Sequence, residues 1–480
     1  MVNPNSRLTF VPRRTRRSIP LSDLLTRGTA ATPILCVTPA NWADIAGNLP
    51  SVQAAYAHAV DFQPKAGRVA LLPAADGTLG AVLFGLGDPA AKTADRFIAG
   101  KLPAALPPGA YRFEPAEGVD AAEAALAWLL GGYRFTRYRD PDAERPGLVA
   151  PDGIDAEAMT RIARAVALGR DLVNTPANDL GPAEIEAAVR ALAERHGATV
   201  TVTTGDALAR EFPLVHAVGV ASPRASRLID LRWGASDAPR VTLVGKGVSF
   251  DTGGLDIKPP SGMLLMKKDM GGAAAAIAAA DMVMGSGLKI SFRLIIPAVE
   301  NAIAGDAFRP GDVIRSRAGL TVEIGNTDAE GRLILADALA LADAEAPDLL
   351  IDFATLTGAA RVALGPDLPA FFTEDDDLAL AVSKAALAVA DPVWRLPLHT
   401  PYAGLLDSKV ADLNNVSNGP FAGAIVAALF LRRFAPATRA HVHFDLYGWN
   451  PTTKPGRPEG GEVQTARLVH ALLQARYPAA

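Results

Sequence analysis

Apolar positions along this chain recur at two different spacings, and the switches between them mark out its elements. Short runs at Pro33–Val37, Arg68–Pro73 and Ala81–Leu86 alternate with helical stretches such as Ala121–Leu130, which predicts a small α/β unit. A stretch rich in Pro, Asp, Arg and Gly, Arg139 to Gly153, reads as a boundary loop. Met159, Ile162, Ala163, Val166 and Leu172 then fall near helical spacing, so Asp155 to Val173 is expected to be an amphipathic connecting helix. Pro182, at a position where its missing N–H costs nothing, opens a helix to about Ala193.

Beyond it, strands are predicted at Thr199–Thr203, Leu214–Val220, Leu228–Trp233, Val241–Val244, Ile290–Pro297, Leu349–Phe353 and His441–Leu446. Leu294-Ile295-Ile296 and Leu349-Leu350-Ile351 are apolar on both faces, as central strands covered by helices must be. Helices are predicted at Gly271–Met284, Leu333–Ala344, Leu378–Val389 and Ala422–Phe434. The expected fold class is α/β. A small N-terminal α/β domain spans 1–154 and a connecting helix 155–173. A large three-layer α/β/α domain with a mixed central sheet follows over 174–480.

Composition narrows the class. The chain has 480 residues, 49% hydrophobic and 20% charged, with a net charge of −4, so no basic footprint marks nucleic acid as its main partner. The single cysteine, Cys36, excludes an intrachain disulfide framework and is expected to be core. Arg13, Arg14, Arg16 and Arg17 are followed by no apolar run and read as a solvated leader. Gly271–Met284 falls short of the roughly 18 apolar residues that a membrane span needs, and is expected to be a buried helix.

The chemistry concentrates in three glycine-bounded clusters. They are Gly245-Lys246-Gly247 with Asp251-Thr252-Gly253-Gly254 and Lys258; Met266-Lys267-Lys268-Asp269; and Asn326-Thr327-Asp328-Ala329-Glu330-Gly331-Arg332. Asp251, Asp269, Asp328 and Glu330 supply enough carboxylate to neutralise two divalent ions. Buried together without cations, they would repel one another and take up protons. Asp328 and Glu330, two apart, would share one side of an extended segment; the plainer reading is a helix start decorated with acids. Asp269 could equally be a helix cap.

Lys246 lacks the spacing of a phosphate loop. As a metal ligand it must lose a proton whose pKa is ordinarily about 10.4, a cost of roughly 4–5 kcal/mol that a dication offsets. Lys258 and Arg332 would stay charged and stabilise a developing oxyanion. An oxygen-rich set with one amine suits Mn²⁺, Zn²⁺, Mg²⁺ or Co²⁺. His441 and His443 share a strand face and are read as structural rather than metal-binding.

Together these clusters resemble the cytosol (leucyl) aminopeptidase family over most of 165–480. Asn-Thr-Asp-Ala-Glu-Gly-Arg-Leu at 326–333 matches its signature. Leu172–Asn178, Val244–Gly247, Ala354–Ala359 and Ala411–Asn415 support it. The resemblance implies a metal-dependent aminopeptidase, cytoplasmic and hexameric, acting on peptides with a free N-terminus. It implies that Lys246, Asp251, Asp269 and Glu330 hold one ion and Asp251, Asp328 and Glu330 a second. Lys258 and Arg332 would be catalytic. Bicarbonate, the implied general base, would rest on Arg332 and the amides of Ala329, Gly331 and Leu356. Met266, Thr355 and Gly358 would line the pocket for the first side chain, and the N-terminal domain would be macro-like. Tyr447 and Asn450 stand where the family has smaller or more apolar pocket residues, which bears on side-chain preference. The rival readings are a nucleic-acid-binding regulator, a silent relative and a two-metal phosphoesterase.

Overall fold

The computed structural model describes residues 24–26, 28, 30–139 and 144–479; the N-terminal arginines lie outside them. The chain divides into two compact units, Met1–Ala156 and Glu157–Ala480.

In the first unit a six-stranded sheet runs in the order Leu25–Thr26, Gly147–Val149, Ala110–Phe113, Thr32–Val37, Leu79–Gly85, Val69–Pro73. Its pairings are parallel except for the final hairpin, Leu79–Gly85 with Val69–Pro73. Helix Ala121–Gly131 starts on Asp120, whose side chain accepts the Glu123 N–H. It buries Trp128 against Tyr111 and Phe113, with ring centroids 6.1 and 6.3 Å apart. Cys36 is buried, as expected. The expected boundary loop contains strand Gly147–Val149. Its one fully buried residue, Leu148, pairs with Tyr111, a partner too remote in sequence for local pattern to register.

The second unit is three-layered. Its central sheet runs Trp394–Arg395, Ala370–Phe372, His441–Asp445, Leu349–Ala354, Arg240–Gly245, Ser291–Asn301, Arg227–Trp233, Thr199–Thr204. Gly247–Asp251 also pairs with Ser291–Asn301. The centre is parallel, while Ala370–Phe372, Arg227–Trp233 and Thr199–Thr204 pair antiparallel. Helix Gly271–Gly285 packs on the strands and on helix Ala466–Arg476. Helices Glu330–Asp343, Pro213–Gly219 and Gly423–Arg432 pack together elsewhere on the unit. Asp281 is wholly buried in its helix, but His196 Nε2 at 2.7 Å and Arg195 Nη1 at 3.0 Å satisfy it. Among the described residues no helix is long and apolar enough to cross a membrane.

One strand expectation is corrected. Leu214–Val220 is not a strand: Pro213–Gly219 is a helix. Asp337, 123 residues away, accepts the Leu214 N–H at 2.8 Å and so satisfies a helix start that has no cap of its own. The strand expected at Val241–Val244 is present, and the apolar run continues past it to Phe250. It breaks at Lys246 into Arg240–Gly245 and Gly247–Asp251.

Candidate metal centre

The acidic groups gather at strand ends and helix starts, where open α/β sheets place their sites. Lys246 occupies the strand break, and Asp251 ends the Gly247–Asp251 strand. Asp269 follows the turn Met266–Lys268, just before helix Gly271–Gly285. Glu330 is the first residue of helix Glu330–Asp343 and Asp328 lies in the turn before it. The Asp328–Glu330 pair therefore straddles a helix start rather than an extended segment. Oxygens of Asp251, Asp328 and Glu330 nevertheless lie within 4.8 Å of one another. Just after Asp251, Gly253 and Gly254 have φ of +88° and +64°, which lets the chain turn sharply there.

Two lysines thread the carboxylates. Lys246 Nζ lies 3.0 Å from Asp269 Oδ1, 2.9 Å from Glu330 Oε1 and 3.1 Å from the Thr355 carbonyl. Lys258 Nζ lies 2.8 Å from Asp251 Oδ2 and also pairs with Asp328. Asn301, absent from the sequence reading, donates from Nδ2 to Asp251 Oδ1 at 2.8 Å and to the Thr327 carbonyl at 3.1 Å. The signal was available, because Asn301 ends an apolar strand just as Asp251 does, and the two are register partners. Thr355, expected in the side-chain pocket, also binds Asp269, with Oγ1 2.8 Å from Oδ1.

These groups perturb one another. Burial pushes Asp251 up to about 6, with the negative charge of Asp269 adding to it and Lys258 pulling against it. Burial, then the charge of Asp251, lifts Glu330 well above the carboxylate range. Burial opposes charge on Asp269 too, but Lys246 and Lys268 outweigh it and hold that carboxyl below its ordinary value. Burial would lower Lys246; Asp269, Glu330 and Asp251 reverse this and hold its ammonium above the usual lysine range. Burial is likewise outweighed at Lys258 by the charge of Asp251.

The donor set fits divalent cations. Asp269 Oδ2 and Glu330 Oε1 both lie 2.9 Å from Lys246 Nζ, yet neither buried oxygen receives a well-directed hydrogen bond. Asp328 Oδ1 stands in the same relation to Lys258. Proximity alone does not satisfy such oxygens, since hydrogen bonding is directional, whereas coordination to an ion would.

Arg332 is buried; its Nη1 donates to the Asn415 carbonyl at 2.6 Å, while its Nε has no partner among the described residues. Burial lowers it to about 10. Of the three expected cradle amides, Ala329 donates to the Asn326 carbonyl at 3.3 Å and Leu356 to Asp445 Oδ1 at 3.1 Å. Gly331 lies in the first helical turn, where no intrahelical acceptor exists. Gly358 faces open space: an added Cβ would meet nothing within 4 Å.

The Tyr447 ring has Lys268 Nζ 4.6 Å and Arg361 Cζ 5.1 Å from its centroid. Asn450, by contrast, is buried and donates to Glu462 Oε2 at 2.8 Å and the Pro458 carbonyl at 3.1 Å, so its amide serves the fold. His441 Nε2 and His443 Nδ1 both meet the buried carboxylate of Asp352, at 2.7 and 2.6 Å, as structural strand histidines would.

Known proteins resemble this chain along most of its length. The profile of the cytosol aminopeptidase family, catalytic domain, matches residues 167–473, and that of the M17 aminopeptidase N-terminal domain matches 33–151. A probable cytosol aminopeptidase of Nocardia farcinica is 41% identical over 377 residues, covering 74% of each chain. The crystal structure of cytosol aminopeptidase from Coxiella burnetii superposes with a TM-score of 0.91 at 46% identity, covering 95% of this chain and 99% of that one. The bottromycin maturation enzyme BotP in complex with Mn gives a TM-score of 0.84 at 36% identity, covering 93% and 100%. The chain belongs to the cytosol aminopeptidase family, metal-dependent hydrolases that remove N-terminal residues from peptides.

Proposed function

We propose that this chain hydrolyses the first peptide bond of substrates with a free N-terminus at a two-metal centre. Lys246, Asp251, Asp269 and Glu330 would hold one ion, and Asp251, Asp328 and Glu330 the other. The convergence of three carboxylates within 4.8 Å, lined by buried oxygens without directed donors, carries this reading. Mn²⁺ or Zn²⁺ suits the set, with Mg²⁺ and Co²⁺ as alternatives; the Mn complex of BotP favours the first. When bound, such a pair supplies Lewis acidity and lowers the pKa of water towards neutrality.

The chain's own residues do the rest. Lys258 is the cation poised to stabilise a developing oxyanion beside Asp251 and Asp328. Arg332, through its unpaired Nε, and the Gly331 amide would hold bicarbonate, whose chemistry is that of a general base. The Ala329 and Leu356 amides would join that cradle only by leaving their present acceptors. Met266, Thr355 and Gly358 would receive the first side chain, with Tyr447 bounding the space.

Domain limits at 1–154, 155–173 and 174–480 belong to the same reading. So do a homohexamer with inward-facing sites, an N-terminal domain governing assembly or access, and a cytoplasmic location. Peptides are the partners; nucleic acid would be at most secondary. Purified protein with Mn²⁺ should release leucine or methionine from p-nitroanilides and leave phosphate esters intact. Full activity in Asp328→Asn or Glu330→Gln would defeat the metal assignment.

A further inference from the structure

At the far end of the helix that begins with Glu330, about 21 Å along its axis by helical rise, lies a second cleft of about 980 Å³. Its size is at the upper end of small-molecule sites, roughly 300–1,000 Å³. Four guanidinium groups line it from three separate segments: Arg210, Arg315 with Arg317, and Arg433. Arg317 donates to the Glu211 carbonyl at 3.0 Å and Arg315 to the Gly319 carbonyl at 2.8 Å, which fixes both side chains. The side chains of Arg210 and Arg433 have no hydrogen-bond partner among the described residues, so their donors are available.

The plain alternative is that these arginines merely offset local negative charge. Two carboxylates line the cleft, Glu211 and Asp343. Asp343 already accepts from the Ala437 and Thr438 amides and the Thr438 hydroxyl. The helix C-terminus adds about half a negative charge. Asp412 also feels the charges of Arg315 and Arg433, but its carboxylate already accepts from the Thr321 amide and hydroxyl. Four cations against three carboxylates and the helix end leave a small positive excess.

The walls are also held in place. Asp337, on the floor helix, accepts the Leu214 N–H at 2.8 Å through one oxygen and the Arg317 N–H at 2.8 Å through the other. The segments carrying Arg210 and Arg315 are therefore tied to one rigid element, as a preorganised anion site requires.

We propose that this cleft binds an oligophosphate, a chain of two or more phosphoryl groups, free or on a nucleoside. Guanidinium forks match phosphate oxygens bidentately, and donors spread over three segments suit an extended anion rather than a single phosphate. The site is separate from the peptidase centre and does not depend on its assignment.

Calorimetric titration of the full-length, Mn²⁺-loaded protein with tripolyphosphate, and separately with ATP, tests this. Saturable binding of tripolyphosphate is expected, weakening with salt. It should weaken about tenfold or more in Arg315→Ala/Arg433→Ala, the loss of charge-assisted hydrogen bonds. Chelation of Mn²⁺ is common to both proteins, so the difference between them reports the cleft, and unchanged peptidase activity reports intact folding. Arg210→Gln, on an exposed surface, repeats the measurement should the double variant misfold. Equal affinity for ATP assigns recognition to the phosphate chain, and tighter ATP binding adds the nucleoside. Absence of saturable binding, equal binding by wild type and variants, or tighter binding of a DNA duplex would overturn the proposal.

Discussion

Gly331 and Lys246 approach so closely that a Cβ on the glycine would lie 2.5 Å from Lys246 Cε and 2.6 Å from Nζ. The glycine of the acidic signature is thus the space through which the lysine reaches Asp269 and Glu330. In an ordinary helix Gly331→Ala would stabilise by about 1 kcal/mol. Here the methyl group displaces the lysine. The expected result is a fall in kcat/KM of about 100-fold or more, since a misplacement near 1 Å can cost that much. Mn²⁺ affinity should weaken while the melting temperature stays within a few degrees. A variant with native kinetics would show that Lys246 need not occupy its observed position.

Metal binding should release protons. Asp251 sits near 6, mainly through burial, and Lys246 is held protonated by its carboxylate neighbours. An ion must displace those protons, so apparent affinity falls as pH drops through about 6 and improves on the alkaline side. Calorimetry in buffers of different ionisation enthalpy counts the protons. An affinity that is flat with pH would contradict the ligand roles of both residues.

Asp352 holds the two histidines that the sequence marked as structural. Its oxygens take His441 Nε2 and His443 Nδ1 in a fully buried site. Burial resists charge on Asp352, but the two imidazoles hold its carboxyl below its ordinary value. Asp352→Leu strands both rings and should cost about 3–5 kcal/mol, the range for breaking a buried pair. Activity per folded molecule should persist in urea-calibrated assays. Selective loss of metal without loss of stability would instead make these histidines ligands.

Acid sensitivity has an identifiable source in His470. Burial, helped by the charge of Arg161, depresses it from 6.5 to about 4. Its Nε2 lies 2.7 Å from Ser286 Oγ, whose own proton points to the Met282 carbonyl. The folded state keeps the ring neutral while the unfolded chain protonates near 6.5. Its contribution is therefore complete above pH 6.5, and is lost as pH falls from 6.5 towards 4, by about 3 kcal/mol at most. In His470→Leu the stability curve between those pH values should flatten; an unchanged slope would place the sensitivity elsewhere.

Much of the centre was legible because its signals are local. A carboxylate or lysine at the end of an apolar run, bounded by glycines, announces itself within ten residues. Lys246, Asp251, Asp269, Asp328 and Glu330 all carry that mark, and the structure brings their side chains together. The central strands and helix Gly271–Gly285 were equally plain, since burial on every side leaves an apolar run, interrupted in the helix by Asp281 alone.

Sequence alone thus determined the α/β architecture and singled out the charged side chains that the structure gathers at one place. Tertiary structure decided everything set by a remote partner. Asn301 meets Asp251 through strand register, and Asp337 accepts an amide at the start of the helix Pro213–Gly219. Glu462 accepts from the Asn450 amide, and Asp445 engages the Leu356 amide. Periodicity and run-end polarity are encoded within one turn or one strand, whereas a hydrogen bond across 50 or 123 residues exists only once the layers have packed.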